Sequence, residues 1–164
     1  MKKRNILIAL VVAALTSGCA GTKDMFGIAP DASGAFFIEP LEVEKNTVSV
    51  YVYRPKGYAY QPDVYINGVS KSLLAPGAYL HSTEKTERIQ IIVQKNPNTG
   101  NWNFNPIGLT VNSKFGERRY FRISAGISSA LILPIGGGVG YRGGIEEVPE
   151  SIALIEMKKT KSMK

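Results

Sequence analysis

The chain has 164 residues, enough for one domain with its own hydrophobic core and too few for two domains of ordinary size. Its 17 glycines, nine prolines and eight tyrosines favour strands and turns over long helices. Because there is one cysteine, an intramolecular disulfide is excluded and the fold depends on burial of apolar side chains.

The net charge of +7 is concentrated at the two ends of the chain. Without the seven terminal cations the formal charge of the remaining residues is zero. A nucleic-acid site needs a concentrated basic surface, so this balance predicts no nucleic-acid partner. The seven cations are Lys2, Lys3, Arg4, Lys158, Lys159, Lys161 and Lys164.

The N-terminus has the three-part layout of a bacterial export signal. The cations at 2–4 precede an uncharged run from Ile6 to Leu15, and small residues follow up to Cys19. The apolar run is too short for a transmembrane helix, which needs roughly 20 residues. We therefore expect 1–18 to be a cleaved signal peptide.

The stretch LTSGC, Leu15 to Cys19, resembles the lipobox of bacterial lipoproteins. The resemblance implies cleavage between Gly18 and Cys19, followed by lipidation of Cys19, and two or three acyl chains give durable membrane attachment. Because Ala20 is not Asp, the enterobacterial sorting rule favours the periplasmic face of the outer membrane over the inner membrane. The alternative is an ordinary signal peptide with an incidental cysteine.

Residues 19–46 have the mixed small and polar composition of a tether between the lipidated N-terminus and the body. The segment AFFIEP within it is too apolar for a solvated linker. We expect Phe36, Phe37 and Ile38 to pack on the edge of the domain.

The body, 47–157, is predicted to be all-β. In TVSVYVYRP, three valines alternate with Ser49, Tyr51 and Tyr53, which predicts a strand with two usable faces that ends at Pro55. Asn67-Gly68, between strand-like flanks, predicts a hairpin with a type I′ turn.

The later segments repeat this strand-and-turn pattern. About seven short strands favour a small antiparallel β-sandwich of the immunoglobulin or transthyretin type. Only VPESIALIEMKK near the end of the body has the pattern of a helix, with Pro149 in its first turn. Residues 158–164 are predicted to be a solvated basic tail.

The body also resembles a family of uncharacterised bacterial lipoproteins, domain of unknown function 2846. The resemblance covers Val48 to Glu156 and is carried, in order, by VYVYRPKG, DVYINGV, LAPGAYLHSTEKTERIQI, FGERRYFRI and EEVPESIALIE. It implies a fold and a location in the cell envelope. It implies no reaction, because the family has none assigned.

The chain lacks the residues that common catalytic and metal sites require. His81 is the only histidine and Cys19 is expected to carry lipid, so a zinc site lacks ligands, and no motif in the sequence brings triad partners to His81. We expect no catalytic residue, metal or cofactor, and a structural role for His81. An enzyme with paired carboxylates is a remote alternative.

The sequence GVGYRG, Gly138 to Gly143, matches the G-x-G-x-x-G pattern of dinucleotide-binding loops. Such a loop must be followed by a helix, a second parallel strand and an acidic residue about 20 positions on. Too little of the chain follows Gly143 for these elements, so no nucleotide partner is predicted.

Two segments are candidate partner surfaces. RPKGYAYQPD carries Arg54, Lys56, Tyr58 and Tyr60, and tyrosine and arginine are favoured at binding surfaces. These residues either bind a protein or a glycan, or cover one end of the sandwich.

The second segment is the glycine-rich apolar stretch 125–144, predicted to be a loop or a hairpin. Its candidate contact residues are Leu131, Leu133, Val139 and Tyr141. Either the leucines enter the core from an edge hairpin, or the segment contacts a partner or lipid headgroups.

The sequence thus predicts a lipid-anchored envelope lipoprotein with a non-catalytic β-sandwich. Its partners would be the membrane, through acylated Cys19, and an envelope protein of an assembly or secretion complex. The alternative is a glycan-binding or peptidoglycan-binding module that uses the tyrosine-rich loop.

Overall fold

The computed structural model describes residues 32–39, 42–57, 61–96, 104–133 and 136–163. The described residues contain nine strands and one helix. In chain order these are β1 Val48–Tyr53, β2 Pro62–Ile66, β3 Val69–Leu73, β4 Ala78–Glu84, β5 Arg88–Lys95, β6 Ile107–Asn112, β7 Arg118–Leu133, β8 Gly136–Glu147, α1 Glu150–Met157 and β9 Lys161–Ser162.

The strands form two sheets that share a hydrophobic core. One has five strands in the order β8-β7-β1-β4-β9, and the other has four in the order β3-β2-β5-β6. Most neighbouring pairs are antiparallel, but β1 pairs with β7, and β4 with β9, in parallel. The predicted β-sandwich with a short C-terminal helix is confirmed, with nine described strands where about seven were expected.

Strand β1 lies at the centre of the five-stranded sheet and is buried along its whole length. Its three valines belong to the core between the sheets, together with Ile91 of β5 and Phe121 of β7. Tyr51 and Tyr53 belong to a second buried cluster with Met157 of α1. Both faces predicted for this strand are therefore buried, one under a sheet and one under the helix.

The predicted boundaries of the body are too narrow at its C-terminal end. Strand β9 pairs with β4, Thr160 is buried, and Met163 packs against the main core. The structure thus places residues 158–163 in the fold, so the prediction of a separate tail is wrong, although Lys158 and Lys159 are exposed as expected. The side of β4 that faces away from β1 would offer unpaired backbone groups, and β9 pairs with part of it and becomes the edge strand.

Part of the predicted tether is also folded. Gly34 N donates to Ser162 O at 3.1 Å, and Ser162 N donates to Ala35 O at 2.8 Å. A Cβ at position 34 would lie 2.0 Å from Ser162 Oγ, so this close approach requires glycine. Gly34 and Ala35, which pair with β9, therefore belong to the folded domain.

Only one of the three apolar residues expected to pack on the domain edge is buried. Phe37 is in the cluster under the helix, whereas Phe36 and Ile38 are exposed. Successive residues of an extended chain point to opposite sides, so Phe36 and Ile38 point away from the surface that Phe37 contacts. Phe36 still lies on the domain edge, where it bridges to Lys161 of β9, so the prediction is wrong for Ile38.

The predicted Asn67-Gly68 turn is confirmed, with φ values of 50° and 79°. Asn67 Oδ1 accepts from Gln90 N at 2.9 Å, and Asn67 Nδ2 donates to Glu84 Oε2 at 2.8 Å. Glu84 also forms an ion pair with Lys71, with 3.0 Å between Lys71 Nζ and Glu84 Oε1. Because Glu84 ends β4 of one sheet and the turn belongs to the other, this carboxylate links the two sheets.

We predict that Glu84→Gln destabilises the fold at neutral pH. Burial raises the pKa of Glu84, but hydrogen bonds from Ser82, Asn67 and Lys71 outweigh burial and leave it below its ordinary 4.5. The stabilisation is therefore present above pH 4.5 and is lost as the pH falls through the lowered pKa. Solvent screening limits the loss to about 1 kcal/mol.

Urea unfolding of both proteins between pH 7 and pH 3 measures this difference. The gap in unfolding free energy should close towards the acidic end of the range. A gap that stays constant with pH would show that the charge of Glu84 is not involved. Glu87→Gln, at an exposed position near the same end of the sandwich, is the control.

Candidate functional site

The outer face of the five-stranded sheet carries a row of stacked rings. The registers of β1 with β4 and of β1 with β7 place His81, Tyr51 and Tyr120 side by side. The ring centroids of Tyr51 and His81 are 4.5 Å apart, and those of Tyr51 and Tyr120 are 5.1 Å apart. His81 is exposed on one side, and partial desolvation of its ring against Tyr51 lowers its pKa from the ordinary 6.5, which favours the neutral imidazole at neutral pH.

The hydroxyls of two buried tyrosines bind glutamates of α1. Tyr53 donates to Glu156 Oε2 at 2.5 Å, and Tyr120 donates to Glu150 Oε1 at 2.9 Å. Burial and the glutamate acceptor raise the pKa of each tyrosine well above its ordinary value. Both phenols therefore stay protonated at physiological pH and serve as hydrogen-bond donors.

Arginines of β7 pair with the same two glutamates. Arg122 binds Glu156 at 2.5 Å, and Arg118 lies 3.3 Å from Glu150. Each helix carboxylate thus has one tyrosine and one arginine as partners. These contacts hold α1 on the sheet, and the two arginines are shared with Glu39 and Glu146.

Beside this network lies a surface on which apolar and basic side chains alternate. Four of its large apolar residues are exposed: Phe36 by 58%, Ile38 by 82%, Ile152 by 47% and Ile155 by 67%. Its cations are Lys56, Lys158, Lys159 and Lys161. We call these eight residues the helix-side surface.

One groove and one ring contact connect six of the eight residues of the helix-side surface. Phe36, Lys56 and Ile155 line one groove with a volume of about 580 Å³, which Lys158 and Lys159 also border. Lys161 Nζ lies 4.9 Å from the centre of the Phe36 ring, a cation–π distance. The N-terminal segment, the loop after β1 and the helix therefore meet at one place.

The packing of α1 explains why two isoleucines are exposed. Ala153 and Met157 lie one turn apart and are buried against the sheet. Ile152 and Ile155 lie on the other side of the helix, where no described residue covers them fully. The helix therefore has more apolar side chains than its contact with the sheet uses.

The surface is cationic because its acids are paired and its lysines are not. Among the described residues, none of its four lysines forms an ion pair. Glu156, which also borders the groove, is held by Arg122 and Tyr53. A ligand at this surface would meet apolar side chains and positive charge together.

Of two residues predicted to lie on a partner surface, Arg54 is buried and Lys56 is exposed. Arg54 is buried, with 2% of its surface exposed, and burial lowers its pKa to about 10. It continues the alternation of the inward-facing valines, so its position as a surface residue was wrongly predicted. Lys56 lies at the groove as an exposed residue. Gly18, Cys19, Tyr58 and Tyr60 lie outside the described residues.

The glycine-rich stretch 125–144 forms a hairpin. Strands β7 and β8 pair antiparallel, with Ala130 opposite Val139 and Leu133 opposite Gly136, and the register shifts between Ile127 and Ser129. The side chains of Leu131, Leu133, Val139 and Tyr141 lie outside the described part. Because β8 and β9 are opposite edges of the sheet, the structure does not bring this hairpin to Lys161 on β9.

Sequence reasoning missed Ile152 and Ile155 and assigned the terminal lysines to a solvated tail. A usable signal was present in IALI, residues 152–155, which puts apolar side chains on more than one face of a short helix. The lysines that follow directly place charge beside this excess of apolar surface.

Comparisons with protein-family models, curated proteins and solved structures find no match to this chain. Within the described ranges, no helix has the length and hydropathy needed to cross a membrane. The same residues contain no cluster of three or more histidine, cysteine, aspartate or glutamate side chains suited to a metal ion.

We predict that the exposed isoleucines contribute little to stability. Ile155→Ser should change the free energy of unfolding by less than about 0.5 kcal/mol, because the side chain is already mostly in water. Met157→Ala, two residues away, should cost about 2–5 kcal/mol because it leaves a cavity under the helix. Chemical denaturation of both variants measures the contrast. Equal losses would show that Ile155 is a packing residue.

Proposed function

We propose that this chain is a lipid-anchored lipoprotein of the bacterial cell envelope, in which a non-catalytic β-sandwich has a binding or structural role. The observation that carries the proposal is the stretch LTSGC, which follows a basic N-terminus and an apolar run too short to span a bilayer. Cys19 would begin the mature chain and carry the lipid. The site of action would be the periplasmic face of the outer membrane.

The resemblance to lipoproteins of domain of unknown function 2846 supports the same location. The domain would act as an accessory to an envelope or secretion complex, with an envelope protein as its partner. This role agrees with a folded domain that begins shortly after the proposed anchor. Ala32, the first described residue, is thirteen positions after Cys19 and is buried in the domain.

Lipidation predicts a defined mass and a defined location. Intact-mass analysis of the membrane fraction should find a chain that begins at Cys19 with acyl groups attached. Cys19→Ala should abolish this species and prevent signal peptidase II processing, because the lipid acceptor is lost. An unacylated mature chain in the periplasmic fraction of wild-type cells would contradict the proposal.

A second assay separates an accessory role from the glycan-binding alternative. Crosslinking of the acylated protein in cells should capture an envelope protein, and purified peptidoglycan should not sediment the protein. Sedimentation with peptidoglycan that is lost in Tyr58→Ala and Tyr60→Ala would instead support the glycan-binding alternative. Tyr65→Ala, a tyrosine on β2, is the matched control.

A further inference from the structure

We propose that the helix-side surface rests on a bilayer that contains anionic lipid. The inference deepens the proposed function and rests on it, since it assumes that Cys19 carries the anchor. It concerns the part of the domain that lies nearest the membrane and the headgroup chemistry that this part recognises.

The chemistry of the surface is the first argument. Phe36, Ile38 and Ile155 are more than half exposed, which is costly for large apolar side chains in water. Lysines without ion pairs in the described part of the chain lie at the groove that Phe36 and Ile155 line. Elements that lie in a membrane interface combine these features, because apolar side chains enter the acyl boundary while lysines reach lipid phosphates.

The charge distribution is the second argument. The two glutamates of α1 would repel anionic headgroups if they were free, but Arg118 and Arg122 of β7 pair with them, and Arg122 also pairs with Glu146. Glu39, next to Ile38, lies 3.8 Å from Arg118. The four lysines and two arginines outnumber these four carboxylates by two charges, so the surface with its neighbouring ion pairs keeps a net attraction for phosphate.

The position of the N-terminal segment is the third argument. Phe36 belongs both to the surface and to the segment that enters the domain, where its backbone forms a bridge with Lys161 of β9. The thirteen residues from Cys19 to Ala32 span at most about 45 Å even when fully extended. A lipid on Cys19 therefore keeps the bilayer within reach of this side of the domain. Exposed apolar side chains beside lysines that are unpaired among the described residues, close to the proposed lipid anchor, favour a lipid surface over a protein partner.

The test uses the full acylated protein in vesicles. Since Cys19 would be consumed by the lipid, a new cysteine is the only reactive thiol in the chain. Ile155→Cys, labelled with an environment-sensitive fluorophore, reports on the helix-side surface. Val69→Cys on β3 is the control, because Val69 is 57% exposed and belongs to the other sheet. Vesicles contain phosphatidylcholine with or without phosphatidylglycerol, and brominated lipids serve as quenchers.

Brominated lipid should quench the label at position 155 and leave the label at position 69 unaffected. Removal of phosphatidylglycerol should weaken quenching at 155. Each Lys→Gln change at 56, 158 or 159 should lower the ratio of docked to undocked protein by up to roughly fivefold. The matched control changes Lys85, Lys95 and Lys114 to Gln, which removes the same charge from exposed positions elsewhere and should leave quenching unchanged.

The outcomes separate the two proposals. Absence of acyl mass on Cys19 overturns the anchor and, with it, this inference. Acylated protein whose label at 155 is as exposed to water as the label at 69 overturns the docking surface alone. The label at 155 could instead be shielded from water only at high protein density, without quenching by brominated lipid. That result would show that a second copy or another protein covers the surface, and it would also overturn the inference. Matching unfolding transitions establish that the labelled variants are folded.

Discussion

The burial of β1 on both faces is the constraint on which the rest of the fold depends. A strand in the middle of a sheet satisfies its backbone through its neighbours, and here β4 and β7 supply the hydrogen bonds. The valines of β1 then require a second sheet on one side, and Tyr51 and Tyr53 require cover on the other. The second sheet buries one face of β1, and the helix buries the other.

The hydroxyl groups of Tyr53 and Tyr120 fix the position of α1 on the sheet. A buried phenol needs a hydrogen-bond partner, and Glu150 and Glu156 provide acceptors at the ends of α1. The carboxylates in turn need cations, which Arg118 and Arg122 supply from β7. With the helix held by these contacts and by Met157, its isoleucines have no contact left to make with the sheet. The exposed apolar surface is thus a consequence of how the helix is fixed.

Local sequence signals predicted much of the fold. The alternation in β1, the Asn67-Gly68 turn and the helix near the C-terminus all depend on neighbouring residues, and the structure agrees with each. Features set by distant residues were missed. Strand β9 consists of two residues whose role is backbone pairing, which no side-chain period reveals.

The candidate site was less predictable for a related reason. Periodicity tells which side chains share a face, but it does not tell whether another element covers that face. Ile155 and Met157 are both apolar residues of one helix, yet only Met157 is buried. Arg54 shows the opposite error, because its charge suggested exposure while its place in the alternation of β1 directs it inward. Position relative to the core outweighs residue type in both cases.

A lipid anchor and a docking surface would have different physical roles. Acyl chains on Cys19 would set an upper limit to the distance of the domain from the bilayer but would leave it free to rotate about the tether. The helix-side surface would remove this freedom, since apolar contacts and lysines on one face favour one orientation over the others. In that orientation the four-stranded sheet, which packs on the opposite side of the sandwich from α1, faces away from the lipid. A protein partner in the periplasm would then meet this sheet, because the membrane already covers the apolar surface beside the helix.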